Sequence, residues 1–466
     1  MKESLGKPII LLLALLLSWS MVSTAMAQEV ALPPRGVVTV KIGDGTHASG
    51  IAIQKDGKIL ISASSFLDNQ GQSILVRRNA DGSPDQAFGK AGVVSTGLTG
   101  FYIQTEAMAL QEDGEVVLAG KAGSINRDKW SGRTNYDFLI IRYNPDGQMD
   151  RGFNGSGWVQ TDIDGEIDVA YGLALQKNRQ IVVIGVTSKW KGYHFATIRY
   201  NEDGTLDRGF GKRGKVITRV GSAREDAARA VAIQSDNKII VAGGADDYPR
   251  YGRVMAMVRY KPDGGIDPRF GFKGKVLKHF GNYEKRGSSI AKAVALQPDG
   301  RIIAGVNVYT HGSHWIEGRL VRLNTDGGFD GRFGNSGSVT VNRHGYGLEA
   351  VTDVALQSDG KILFVGGAYN REKSSYAIVV GRTNADGSPD TSFGNNGITQ
   401  VLMGKSPATG RKIAIQQDGK IVVAGDVGKI EPNAISHRSS RYPSDLVFFR
   451  LYATGRIDEN FGAVPK

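Results

Sequence analysis

The stretch "DGSPDQAFGKAG", Asp81 to Gly92, decides the fold because it keeps returning. "DGQMDRGFNGSG" begins at Asp146, "DGTLDRGFGKRG" at Asp203, "DGGIDPRFGFKG" at Asp263, "DGGFDGRFGNSG" at Asp326 and "DGSPDTSFGNNG" at Asp386. A worn seventh copy, "TGRIDENFG", begins at Thr454. A second phrase alternates with it, as in "MALQEDGEVVLAG" from Met108 and "IAIQQDGKIVVAG" from Ile413. Its glutamines fall at 54, 111, 176, 234, 297, 357 and 416, a period of 57 to 65 residues. Self-similarity at such a period signals a solenoid or a propeller.

Each unit spells four strands. An apolar "VALQ" segment, an Asp-Gly turn and an apolar "KIVVAG" segment predict a β-hairpin, since Asp-Gly between β-rich runs fixes a tight turn. A third run such as "FLIIRYN" follows, then the opening phrase, then a short fourth strand such as "KVIT". Four strands in about 60 residues make one propeller blade. The last copy lacks its fourth strand, and an orphan "RGVVTVKIG" stands at the start of the expected mature chain. Gly36 lies 18 residues ahead of Gln54, and Gly92 lies 19 ahead of Gln111. Residues 36–42 are therefore expected to complete the last blade, closing an all-β, seven-bladed propeller without a free sheet edge.

The N-terminus reads as a secretory signal over residues 1–27. "MKESLGK" is basic, "PIILLLALLLSWSMV" is apolar, and small residues Ala25 and Ala27 place cleavage near Ala27–Gln28. Residues 28–466 are then the propeller, expected as a monomer in the periplasm or outside the cell with no transmembrane segment after cleavage. The chain has no cysteine, which excludes disulfides, thiol catalysis and cysteine metal sites. The net charge of +12, from 58 basic and 46 acidic residues among 466, permits an anionic partner. Without a basic run or arm, nucleic acid is not expected.

These alternating phrases resemble the delta-60 repeat β-propeller proteins of bacteria. The resemblance covers essentially all of the chain after the signal. It implies a propeller fold and an exported bacterial protein, and it brings no agreed chemistry.

The repeated charges read as scaffold. In all seven units an Arg precedes the second Asp of the phrase by eight residues, from Arg77 and Asp85 to Arg450 and Asp458. A Phe follows that Asp by three, from Phe88 to Phe461. An Arg–Asp ion pair with a Phe plug between blades explains a triplet of fixed spacing.

Function is sought where the units differ. The count from each Gln to the following Arg varies from 23 to 34, which places the variation in the loop between second and third strands. Variable loops on a rigid scaffold are the usual place for binding. The candidates there are Lys129, Trp130, Trp190, Lys191, Tyr193, Arg250, Tyr251, Tyr309 and Trp315. Aromatic rings beside cations suit sugars and anions, so the expected partner is an extracellular or envelope glycan, an anionic polymer or a protein. No cofactor is expected, although His311 and His314, or Asp162, Asp164 and Asp168, offer weak divalent-metal candidates. The alternative is a lactonase- or lyase-like propeller enzyme built on those histidines and acids at the central channel.

Overall fold

The computed structural model describes residues 34–463 apart from 68–69, 125–134, 164–166, 190–191, 223–224, 248–251, 281–286, 310–315, 342–346, 371–373 and 429–443. It contains seven four-stranded antiparallel sheets. The inner strands are Asp44–Ile53, Phe101–Leu110, Asp168–Leu175, Ala227–Ile233, Ser288–Leu296, Gly347–Leu356 and Ala408–Ile415. In each blade the chain then steps outward strand by strand, and each inner strand packs against the inner strands of both neighbours. Among the described residues, one 3-10 turn at Phe153–Gly155 is the only helical element, and no helix is long and apolar enough to cross a membrane.

The ring closes as the sequence predicts. Val37–Val40 is the outer strand of the seventh blade and pairs with Ser444–Leu451, Val37 opposite Phe449 and Val40 opposite Leu446. The strand pairing stops at Val40, two residues short of the expected span. Residues 1–27, the expected signal, lie outside the described residues.

Apolar side chains of adjacent blades fill the gaps between sheets, so the core is a ring of seven clusters rather than one mass. The repeated triplet ties that ring together. All seven Arg–Asp pairs form, at 2.6–3.0 Å. Each guanidinium also lies over the Phe of its own unit, 4.2–4.8 Å from the ring centre. Its remaining nitrogen donates to a carbonyl of the next blade: Pro145, Glu202, Pro262, Thr325, Ala385, Ala453 and, across the closure, Ala80. That carbonyl stands just before the next unit's turn, whose glycine rests on the same Phe. At Gly204, with φ of +87°, a Cβ would come within 3.0 Å of the Phe153 ring.

Candidate functional site at the mouth of the central channel

Every inner strand carries a β-bulge at one register position. The ladder skips Ser49, Glu106, Tyr171, Arg229, Lys292, Thr352 and Arg411. Each stands five residues before its repeat glutamine. A bulge inserts a residue with no ladder partner and re-aims its side chain. Here the bulge falls at one register of all seven inner strands, so seven single residues stand at equivalent places around the ring.

Two of the seven are tied to the walls. The Ser49 hydroxyl meets that of Ser62 at 2.9 Å, and the Thr352 hydroxyl donates to the carbonyls of Val365 and Gly410. The other five are large and polar. Arg229 lies 3.8 Å from the centre of the Tyr171 ring, a stacked cation on an aromatic face. Arg411 binds the buried Asp426 at 2.8 Å, and that carboxylate also accepts from the Ala48 amide and meets His47. Burial opposes ionisation of Asp426, but Arg411 and His47 outweigh it and hold its pKa below the ordinary value. Glu106 accepts from Gln104 at 2.6 Å, and burial raises its pKa against the pull of Lys121, Arg229, His47 and Arg411.

Lys292 stands apart. Burial first, then Arg229, Arg253 and Arg411, push its ammonium down to about 8. Those three cations come from blades four and seven, and Glu106 of blade two is felt across the ring by Arg229 and Arg411. Arg253 is held by Glu225 and lies 3.8 Å from Asp246. Among the described residues neither Lys292 nor Arg229 has a carboxylate partner.

The cluster sits at the end of the channel that bears the second-to-third-strand loops. Arg253 opens the third strand of blade four, and Tyr309 closes the second strand of blade five. Burial raises the pKa of Tyr309, and its Asn307 hydrogen bond, Arg229 and Arg253 oppose that rise. Of the residues expected from the sequence, Tyr309 thus joins the channel cations, and Tyr193 lies exposed at the start of the third strand of blade three. Lys129, Trp130, Trp190, Lys191, Arg250, Tyr251, His311, His314, Trp315 and Asp164 lie outside the described residues. Asp162 and Asp168 join Asp137 in the joint between blades two and three, apart from the channel cluster. There burial pushes Asp168 up to about 6, against the Thr187 hydroxyl and the Ile163 amide, with Asp137 and Asp162 raising it further.

The bulge ring escaped the sequence reading, yet its signal is present. Within a constant frame of apolar and small residues before each glutamine, one position reads Ser, Glu, Tyr, Arg, Lys, Thr and Arg around the ring. Variation at one register of a repeat marks the surface that repetition does not need.

Six stretches, 54–88, 111–153, 176–210, 234–270, 297–333 and 357–393, match the family model described as "Domain of unknown function (DUF5122) beta-propeller". No curated protein matches the sequence. Similar solved structures include the polysaccharide lyase Uly1, at 11% identity over 87% of this chain and 90% of that one, with a TM-score of 0.46. The β-propeller domain of the trilobed protease from Pyrococcus furiosus shares 10% identity over 88% and 94%, with a TM-score of 0.42. The α-L-arabinofuranosidase of Fusarium graminearum shares 10% over 73% and 91%, also at 0.42. The chain is thus a β-propeller repeat protein, six of whose seven units match the DUF5122 β-propeller model.

Proposed function

We propose that the protein is an exported binding module that holds an anionic glycan, or another acidic polymer, at the loop-bearing mouth of the channel. The observation that carries the reading is the pair Lys292 and Arg229: two cations at bulge positions, among further cations, neither in an ion pair with a carboxylate among the described residues, although Glu106 is felt by Arg229. Three cations crowding a partly buried ammonium is electrostatically costly, and an anion there relieves it. Tyr171, already stacked on Arg229, and Tyr309 add ring faces on which a sugar can lie. A carboxylated or sulfated sugar fits both halves of that description.

Display of the purified mature protein on an array of neutral, carboxylated and sulfated glycans tests it. The acidic glycans should bind, and Arg229→Ala with Lys292→Ala should weaken them by about tenfold or more, as for lost charged hydrogen bonds. Binding confined to neutral glycans, or indifferent to both changes, would remove the reading.

A second reading is an enzyme at the same mouth. Glu106 is displaced upward and Lys292 downward, both toward neutrality, as acid–base catalysis requires. Product formed from a bound glycan would favour it.

A further inference from the structure

We infer that Asp137, Asp162 and Asp168 form a site for a hard divalent cation of the calcium class in the joint between blades two and three. One oxygen from each of the three carboxylates lies within 4.8 Å of the others, a spacing that one ion can bridge. The donor set is all oxygen, which suits calcium and disfavours zinc or copper. Asp168 has no exposed surface, and one of its oxygens accepts the Ile163 amide at 2.7 Å. Its other oxygen has no partner in hydrogen-bond geometry, the Thr187 hydroxyl being the neighbouring donor. Asp137 repeats the pattern, with one oxygen accepting from Gln160 and the other buried without a partner.

The next joint shows what these positions hold when they serve the scaffold alone. Asp226 occupies the place of Asp168, eight residues before the glutamine, and its carboxylate caps the amides of Val220, Gly221 and Asp246. The place of Asp137, five before the repeat arginine, is taken by His194, with Nδ1 3.9 Å from Asp226. The place of Asp162 is taken by Arg219: Lys275 donates to the Arg219 carbonyl as Lys215 donates to that of Asp162. One joint therefore holds His, Asp and Arg, and its neighbour holds three aspartates at the same positions. Asp168 is buried, Asp137 half-buried and Asp162 exposed, and a cation at their meeting point would offset the repulsion that the two more buried carboxylates feel. Lys215 is the nearby cation, and its ammonium is engaged by the backbone.

The test uses the mature chain, stripped of metal with a chelator and titrated with calcium or magnesium by calorimetry and thermal melting. One calcium should bind per chain and raise Tm at about 1 mM, the range of extracellular sites. Asp137→Asn and Asp168→Asn should each weaken binding by about tenfold or more. Asp137→Asn decides alone if Asp168→Asn fails to fold, because Asp137 does not clasp the connection. Wild-type protein that neither binds nor is stabilised by calcium overturns the inference. So do Asn variants that bind as the wild type does, or that are merely more stable with and without metal.

Discussion

Arg259 shows how one side chain can do three tasks. Its guanidinium faces Asp267 at 3.0 Å, covers Phe270 and donates to Thr325 of the next blade. Both charged side chains are nearly buried, at 8% and 1% exposure, so removing either strands the other. Asp267→Ala should cost about 3–5 kcal/mol in urea unfolding. A loss below about 1 kcal/mol, as for a surface pair, would contradict the assignment. The same aspartates govern acid stability. Burial opposes their ionisation, yet amide donors and the paired cations hold Asp85, Asp207, Asp267, Asp330, Asp390 and Asp458 below the ordinary carboxylate pKa. The unfolded chain then takes up protons first as pH falls. The stability these groups contribute is full above about pH 4 and is lost progressively below it. Unfolding midpoints measured from pH 7 to pH 2 should drop steeply only below about pH 4. A flat profile would mean that the pairs contribute nothing.

The strand elements were legible because their punctuation is chemical: Asp-Gly turns, a fixed Arg-to-Asp spacing and alternating apolar runs leave one register open to each sheet. The clasp was legible because a missing strand at one end matched an orphan at the other. The bulges were not, because a bulge is a relation between two strands and no local residue type demands it. Its trace lies in the partner strand. Opposite the bulge, a Cβ added at Gly120, Gly185, Gly243 or Gly425 would come within 1.9–2.3 Å of an inner-strand carbonyl. Gly185→Ala should therefore cost about 1–3 kcal/mol, as overpacking does, although Ala favours a strand more than Gly does. Thermal melting of that variant decides. An unchanged or raised Tm would show that the inner strand can yield there.

At the scale of the molecule, a ring of near-identical units gains its individuality from the positions that repetition leaves open. The expected loop residues were chosen by chain length and composition, which locate a face but not a pocket. Lys292 and Arg229 were not legible, because they lie inside apolar strands where a charge reads as an interruption and only the packing of one inner strand on the next brings them together. Their convergence makes one measurement decisive. Calorimetric titration of a uronic-acid oligosaccharide into the wild-type protein and Lys292→Ala, at pH 7 and pH 9, reads the affinity and its dependence on the ammonium. With burial and the neighbouring cations pushing that ammonium down to about 8, wild-type affinity should fall between the two values, whereas the variant should bind about tenfold or more weakly at pH 7 and change little. Equal affinities for the two proteins at both pH values would contradict an anion site at the channel mouth.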